Sequence, residues 1–155
     1  MGRDRDRARD RRDALTSVPA VRPLVPDDFV AVRRLWAATE GLGRGPGDSV
    51  EGLHRFVARN PGLSLVALDG GTIVGTILCG YDGRRGFIYH LAVAREHRRR
   101  GLAAELVRLC LLRLKGEGIE RCLIVVVEGN EDAIQFWKRV GFRMRHDLTA
   151  LSIDL

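Results

Sequence analysis

Residues 87–115, FIYHLAVAREHRRRGLAAELVRLCLLRLK, change hydrophobic period once, and that change constrains the fold more than any other stretch. Residues 87–93 are aromatic and β-branched enough for a strand buried on much of both faces. A turn follows at residues 94–100, with four arginines and one glutamate. From Gly101 onward Ala103, Leu106, Val107, Cys110, Leu111 and Leu114 share the i, i+3, i+4, i+7 spacing of one helix stripe. A strand feeding a long crossover helix returns the chain to a strand parallel to the first.

A helix entered through Arg98, Arg99, Arg100, Gly101, Leu102 and Ala103 presents unpaired backbone N–H groups in its first turn. Together with the helix dipole and the flanking guanidiniums, those donors suit a diphosphate. Gly101 accommodates a positive φ and, lacking a Cβ, lets a bulky anion approach; Ala103 is small for the same reason. A solvated basic turn with an ordinary helix start fits the same residues on physical grounds alone.

The remaining elements fall into place around this run. Residues 1–18 form a mixed-charge leader with too little apolar surface to offset ordering entropy, so residues 19–155 are read as the domain and the leader as disordered. Residues 20–24 read as a short strand, which Pro23 places near an edge. Asp27 or Asp28 caps a helix to about Thr39, with Phe29, Val32, Leu35 and Trp36 facing inward. After a glycine-rich loop at 41–47, Asp48 or Ser49 starts a second helix that stops at Asn60-Pro61. Residues 63–68 and 72–80 form a hairpin across Asp69-Gly70-Gly71. Beyond the long helix, residues 121–127 read as a buried strand, Asn130 caps a short helix through Val140, and two last strands lie around 143–146 and 150–155. The order is that of an α/β (α+β) fold with a mixed sheet.

Composition removes several classes of function. No apolar run approaches the length of a membrane span, and the charged N-terminus is unlike a secretory signal. The net charge is +6, of which the first 20 residues supply +2 (six arginines against four aspartates), while much of the rest sits in residues 84–100. Charge gathered beside a phosphate-shaped turn favours a small polyanion over nucleic acid. Cys79, Cys110 and Cys122 have wide spacing and apolar neighbours, as reduced core thiols of a cytoplasmic protein do. His54, His90, His97 and His146 share no metal-ligand spacing with one another or with the cysteines, so no metal site is expected.

Two segments carry a family resemblance. Arg98, Gly101 and Ala103, after a strand ending Leu91-Ala92-Val93, match the Gln/Arg-x-x-Gly-x-Gly/Ala signature of the GNAT superfamily of N-acetyltransferases. Asn130, Ala133, Phe136, Trp137, Gly141 and Phe142 resemble that family's Asn-x-x-Ala-x-x-Phe-Tyr-x-x-x-Gly-Phe. The element order agrees from about residue 20 to the end.

The resemblance implies a mostly antiparallel, seven-stranded mixed sheet with about four helices and splayed central parallel strands. It implies transfer of an acetyl group from acetyl-CoA to a primary amine by direct attack in a ternary complex. Pantetheine would lie along Leu91, Ala92 and Val93 as an extra strand; the backbone of Arg98, Arg99, Arg100, Gly101, Leu102 and Ala103 would hold the pyrophosphate, with Asn130 beside the cofactor. Family members often carry a catalytic Glu or His just before Leu91. Here Phe87 and Tyr89 hold those places, with His90 on the opposite side of the alternation, so Tyr89, His90 and Glu128 are the candidates for proton transfer. Trp137 stands where much of the family has a tyrosine that protonates the leaving thiolate, and an indole cannot supply that proton; Tyr89, Tyr81 or water substitutes, or the thiolate leaves unprotonated. An acyl-CoA-binding module without turnover is the alternative from a different class. The acceptor is open; its wall would come from the first two helices, the 41–47 loop and the final strands, a cationic or zwitterionic amine being compatible with Arg44, Asp48 and the bordering Glu40 and Glu51, and two exposed terminal strands would permit a homodimer.

Overall fold

A computed structural model describes residues 18–155; the proposed leader, Val18 apart, lies outside the described residues. The first compact unit ends at Val125 and contains the sheet, and the second spans Val126–Leu155.

In the first unit five strands run in the order β1 (Ala20–Pro23), β2 (Leu65–Asp69), β3 (Thr72–Tyr81), β4 (Gly86–Val93) and β5 (Cys122–Leu123), which is also their order across the sheet. β1 to β4 pair antiparallel and β4 pairs with β5 in parallel. The parallel pairing follows from the crossover through α3 (Leu102–Gly116). Pro23, with no N–H to give, ends the edge strand, and Gly70-Gly71 make the tight loop that sets Asp69 opposite Thr72.

Two helices, α1 (Phe29–Ala37) and α2 (Val50–Arg59), cover one face. Their Phe29, Val32, Trp36 and Leu53 pack with Val66, Leu78 and Ala92 of the sheet. α3 packs against β2, β3 and β4 and buries Leu106, Val107, Cys110 and Leu114, the stripe expected from the sequence. α2 ends where Pro61 forbids continuation. There the Asn60 amide donates to the Phe56 carbonyl at 3.1 Å and its oxygen accepts from Tyr81 N–H at 2.9 Å, pinning the helix end to β3. Arg22 and Asp28 join β1 to the start of α1 through two hydrogen bonds of 2.6 and 2.8 Å, and Asp28 also accepts from Val25 N–H at 3.0 Å.

The second unit contains α4 (Glu131–Arg139), capped by Asn130 as expected: its side-chain oxygen accepts from Ala133 N–H at 3.1 Å. Phe136 and Phe142 meet Trp137 edge-on, with ring centroids 5.2 and 5.0 Å away. Trp137 therefore packs within its own helix and the turn that follows it.

Three expectations are corrected. The sheet has five strands among the described residues, not seven. Residues 143–155 form no strand: Arg145 folds onto Asp147 with bonds of 2.8 and 2.7 Å, while Leu151 and Ile153 are 94% and 84% exposed. Alternating hydrophobicity marks a strand's face, but a ladder needs a partner to bond with, and here neither segment has one. Likewise residues 121–127 do not form a buried strand; only Cys122 and Leu123 join β4, and Val125 is 79% exposed.

Cys79 and Cys110 are buried and Cys122 is half-buried, all three as free thiols. The Cys79 side chain and burial both hold the Cys110 thiol far above its ordinary value, and burial pushes Cys122 up to about 12. Neither is a ready nucleophile. No helix among the described residues is long and apolar enough to cross a membrane, and those residues contain no group of three or more potential metal ligands.

Candidate active site

The centre of the first unit is a β-bulge. Leu78 pairs with Tyr89 and Thr76 with Ala92, so one residue of β3 faces two of β4, His90 and Leu91. The extra residue is absorbed by His90, whose φ is +49°. Strict alternation would send Tyr89 and His90 to opposite faces of the sheet. The bulge cancels that, and both line one pocket of about 450 Å³.

Three elements build this pocket. β3 and β4 contribute Leu78, Tyr89 and His90; one face of α2 contributes Leu53, Phe56, Arg55 and Arg59; the preceding loop contributes Gly45, Gly47 and Asp48. Tyr89 lies edge-on to Phe56 (5.9 Å between centroids) and stacks on Phe87 (6.1 Å). Partial burial holds its phenol above the ordinary tyrosine value, with Cys122 and Asp82 adding to the shift. The hydroxyl thus keeps its proton through neutral pH and is a donor. Tyr81 is elsewhere: its hydroxyl bonds Glu117 at 3.1 Å, just past the C-terminal end of α3.

His90 packs edge-on against Trp36 at 4.5 Å, and its Nε2 lies 2.5 Å from Asp48 Oδ1. A carboxylate accepts only, so Nε2 carries a proton, and in the neutral ring Nδ1 is the acceptor. Asp48 is itself positioned, accepting from Gly45 N–H at 2.8 Å through its other oxygen. Ser49 takes the N-cap of α2, accepting from Gly52 N–H at 3.0 Å, and so leaves Asp48 for His90. Gly52 is needed for the approach of this loop to the helix: a Cβ there would stand 2.1 Å from the Gly47 carbonyl oxygen. The Asp48–His90 pair joins residues 42 apart, and the sequence carried no signal for it beyond the presence of an acid in a loop already suspected of facing the acceptor.

The basic turn lies at the other end of β4. Beyond Phe87, β4 has no strand partner on the β5 side among the described residues. Arg98 Nε donates to the Val93 carbonyl at 2.9 Å, and His97 Nε2 meets Asp69 Oδ2 at 2.8 Å, tying the turn to the hairpin of β2 and β3. Arg99 (φ +61°) and Gly101 (φ +78°) are both left-handed, the sort of conformation that makes successive N–H groups converge. Gly101 is the N-cap of α3, with no side chain capping the first turn. A Cβ at Gly101 would meet nothing within 4 Å, so φ, not crowding within the protein, is what calls for glycine here. Arg98, Arg99 and Arg100 are exposed around this helix start.

Leu91, Ala92, Val93 and residues 98–103 thus form one continuous run from bulge to helix, with Tyr89 and His90 at its start. Glu128 and Asn130 belong to the second unit; Glu128 is exposed in the turn that leads into α4, and Asn130 serves as the helix cap.

Comparison with known proteins gives consistent relatives. The family model described as the Acetyltransferase (GNAT) family matches residues 29–142. An acetyltransferase of Photorhabdus laumondii is 35% identical over 126 residues, covering 81% of this chain and 87% of that protein. In fold, the chain is similar to Ard1 from Thermoplasma volcanium (TM-score 0.73, 23% identity, 83% of this chain and 85% of that one). It is likewise similar to a chain of the NatC complex bound to Gag peptide and CoA (TM-score 0.71, 22% identity, 83% and 87% covered).

Proposed function

Because this chain belongs to the GNAT family of acetyltransferases, we propose that it transfers the acetyl group of acetyl-CoA to a primary amine by direct attack within a ternary complex. The observation that carries the reading is the bulged β4 strand leading into a left-handed helix start with no side-chain cap.

The residues present fit that cosubstrate. The β4 edge at Leu91, Ala92 and Val93 is available to pair with an extended pantetheine arm. The Arg98 N–H is taken by the Arg95 carbonyl at 3.3 Å, which leaves the backbone N–H groups from Arg99 to Ala103, with the guanidiniums of Arg98, Arg99 and Arg100 and the α3 dipole, to suit the pyrophosphate. Asn130 is assigned to the cofactor side by its motif position. Acetyl-CoA supplies the activated acyl group as a thioester; this chain aligns it with the amine and moves protons.

A primary ammonium, with a pKa of about 10.4 for a lysine-like amine, must lose a proton before it attacks. His90 is the base in this reading: Asp48 fixes the ring and its tautomer, leaving Nδ1 to take the proton. Tyr89, whose phenol keeps its proton, returns one to the departing sulfur. Glu128 is the remaining candidate base.

Initial rates of CoA release with acetyl-CoA and an amine panel test the assignment. Turnover above the buffer rate is the expected result. Tight acetyl-CoA binding with no amine turned over would contradict it and leave a binding module.

A further inference from the structure

The pocket beside His90 has a charge pattern that selects its amine. Among the described residues Asp48 is the only acidic one lining it, and that carboxylate is already engaged by His90 at 2.5 Å. Two arginines of α2, Arg55 and Arg59, line the same pocket one helical turn apart, and neither forms an ion pair among the described residues. Glu51, one turn before Arg55, feels its charge without closing on it. The rest of the wall is apolar or aromatic: Leu53, Phe56, Leu78 and the Tyr89 ring.

Taking the chain as an amine acetyltransferase, we infer that its acceptor is a small amino-acid-like zwitterion, a primary amine that also bears a carboxylate and an apolar or aromatic side chain. The ammonium is placed at His90 and Asp48, the carboxylate at Arg55 and Arg59, and the side chain against Leu53, Phe56 and Tyr89. A planar guanidinium pairs with a carboxylate through two parallel hydrogen bonds, so a pair of arginines on one helix face is a suitable receptor. The volume of about 450 Å³ lies within the range of small-molecule sites and is ample for such a ligand.

The same pattern works against other amines. With His90 neutral, the two guanidiniums outnumber the single carboxylate; with His90 protonated, the excess of positive charge is larger still. Polyamines and aminoglycosides, which carry several ammoniums, are repelled by such a wall. A lysine side chain or a peptide N-terminus lacks the neighbouring carboxylate and would leave both arginines without a ligand partner.

The reaction balances without a further reactant. The ammonium gives one proton to His90 Nδ1, the neutral nitrogen forms the C–N bond as the acetyl C–S bond breaks, and the amide nitrogen loses its second proton. The sulfur leaves as thiolate and is protonated, so the products are the N-acetyl amino acid, CoA and one proton released to solvent.

The test compares matched acceptors on the full chain: phenylalanine with phenethylamine, leucine with isopentylamine, and both sets with spermidine, kanamycin and a short peptide. The amino acids should exceed their decarboxylated partners in kcat/KM by roughly tenfold or more, mainly through KM, as expected of charge-assisted pairing. Arg55→Ala and Arg59→Ala should erase that advantage, lowering kcat/KM for phenylalanine far more than for phenethylamine, with the KM for acetyl-CoA unchanged. Equal or better use of the amines, spermidine, kanamycin or the peptide overturns the acceptor assignment and leaves the transferase reading intact. No turnover of any acceptor also overturns it. That outcome removes the transferase reading as well, and calorimetric titration of acetyl-CoA then decides whether a binding module is left; use of the simple amines without preference for the amino acids removes the acceptor assignment alone.

Discussion

Among the described residues only His90 and Arg99 hold a positive φ without being glycine. Each costs about 1 kcal/mol relative to ordinary backbone, and both lie on the run that joins the pocket to the helix start. Strain collected in this way is typical of residues whose direction matters more than their stability. In His90 the direction is toward Asp48 and Trp36. His90→Gln, which keeps a polar side chain but removes the base, should lower kcat by about a hundredfold or more at unchanged acetyl-CoA affinity, read by steady-state rates and calorimetry. Asp48→Asn should cost less, because the carboxylate only positions the ring. Asp28 provides a stability test of a different kind. The Arg22 hydrogen bonds, followed by that of Val25, hold its carboxyl below the usual aspartate range despite its burial. A depressed folded value stabilises the protein above the unfolded pKa of about 3.9 and is lost as pH falls through the folded value. Asp28→Asn should therefore lose about 2 kcal/mol at pH 7, with urea midpoints of variant and wild type converging in acid below about pH 4.

At the scale of elements, the local rules of the sequence were reliable wherever a single segment determined the outcome. The α3 stripe, the Gly70-Gly71 hairpin, the stop at Asn60-Pro61 and the Asn130 cap all follow from neighbours within one turn or one loop. The bulge was not legible. Its cause is the pairing of β4 with β3, where one residue faces two, and no local pattern in residues 87–93 records an extra residue. With it went the placement of His90, which alternation alone assigned to the wrong side. The Asp48–His90 pair was hidden for the same reason: Ser49 and Asp48 are equally good helix caps by composition, and only the packing of the 45–48 loop on Gly52 decides which is released. Gly101, by contrast, was legible as a left-handed helix start, and φ +78° bears that out. Gly101→Val should reduce acetyl-CoA affinity by at least about tenfold, while the backbone penalty of about 1–2 kcal/mol leaves the chain folded. Calorimetry alongside thermal melts separates the two effects; unchanged affinity would place the pyrophosphate elsewhere.

For the whole molecule, the order of elements and two short motifs were enough to reach the family to which the chain belongs, and the net basic charge gathers where a polyanion is proposed to dock. The two C-terminal strands were over-read. A period of two states which side chains share a face, but supplies no partner strand, and Leu151 and Ile153 remain in solvent. The pocket proposed for the acceptor escaped motif reading, since its wall is assembled from a loop, one helix face and two strands far apart in sequence. Its chemistry is legible only once those parts are brought together. The account depends above all on where the coenzyme lies, and backbone amide NMR of the full chain titrated with CoA measures that residue by residue. Shifts should be largest at Leu91, Ala92, Val93 and from Arg98 to Ala104, with the far end of α3 around Lys115 little changed; perturbations centred away from β4 and the basic turn, or none at saturating CoA, would contradict it.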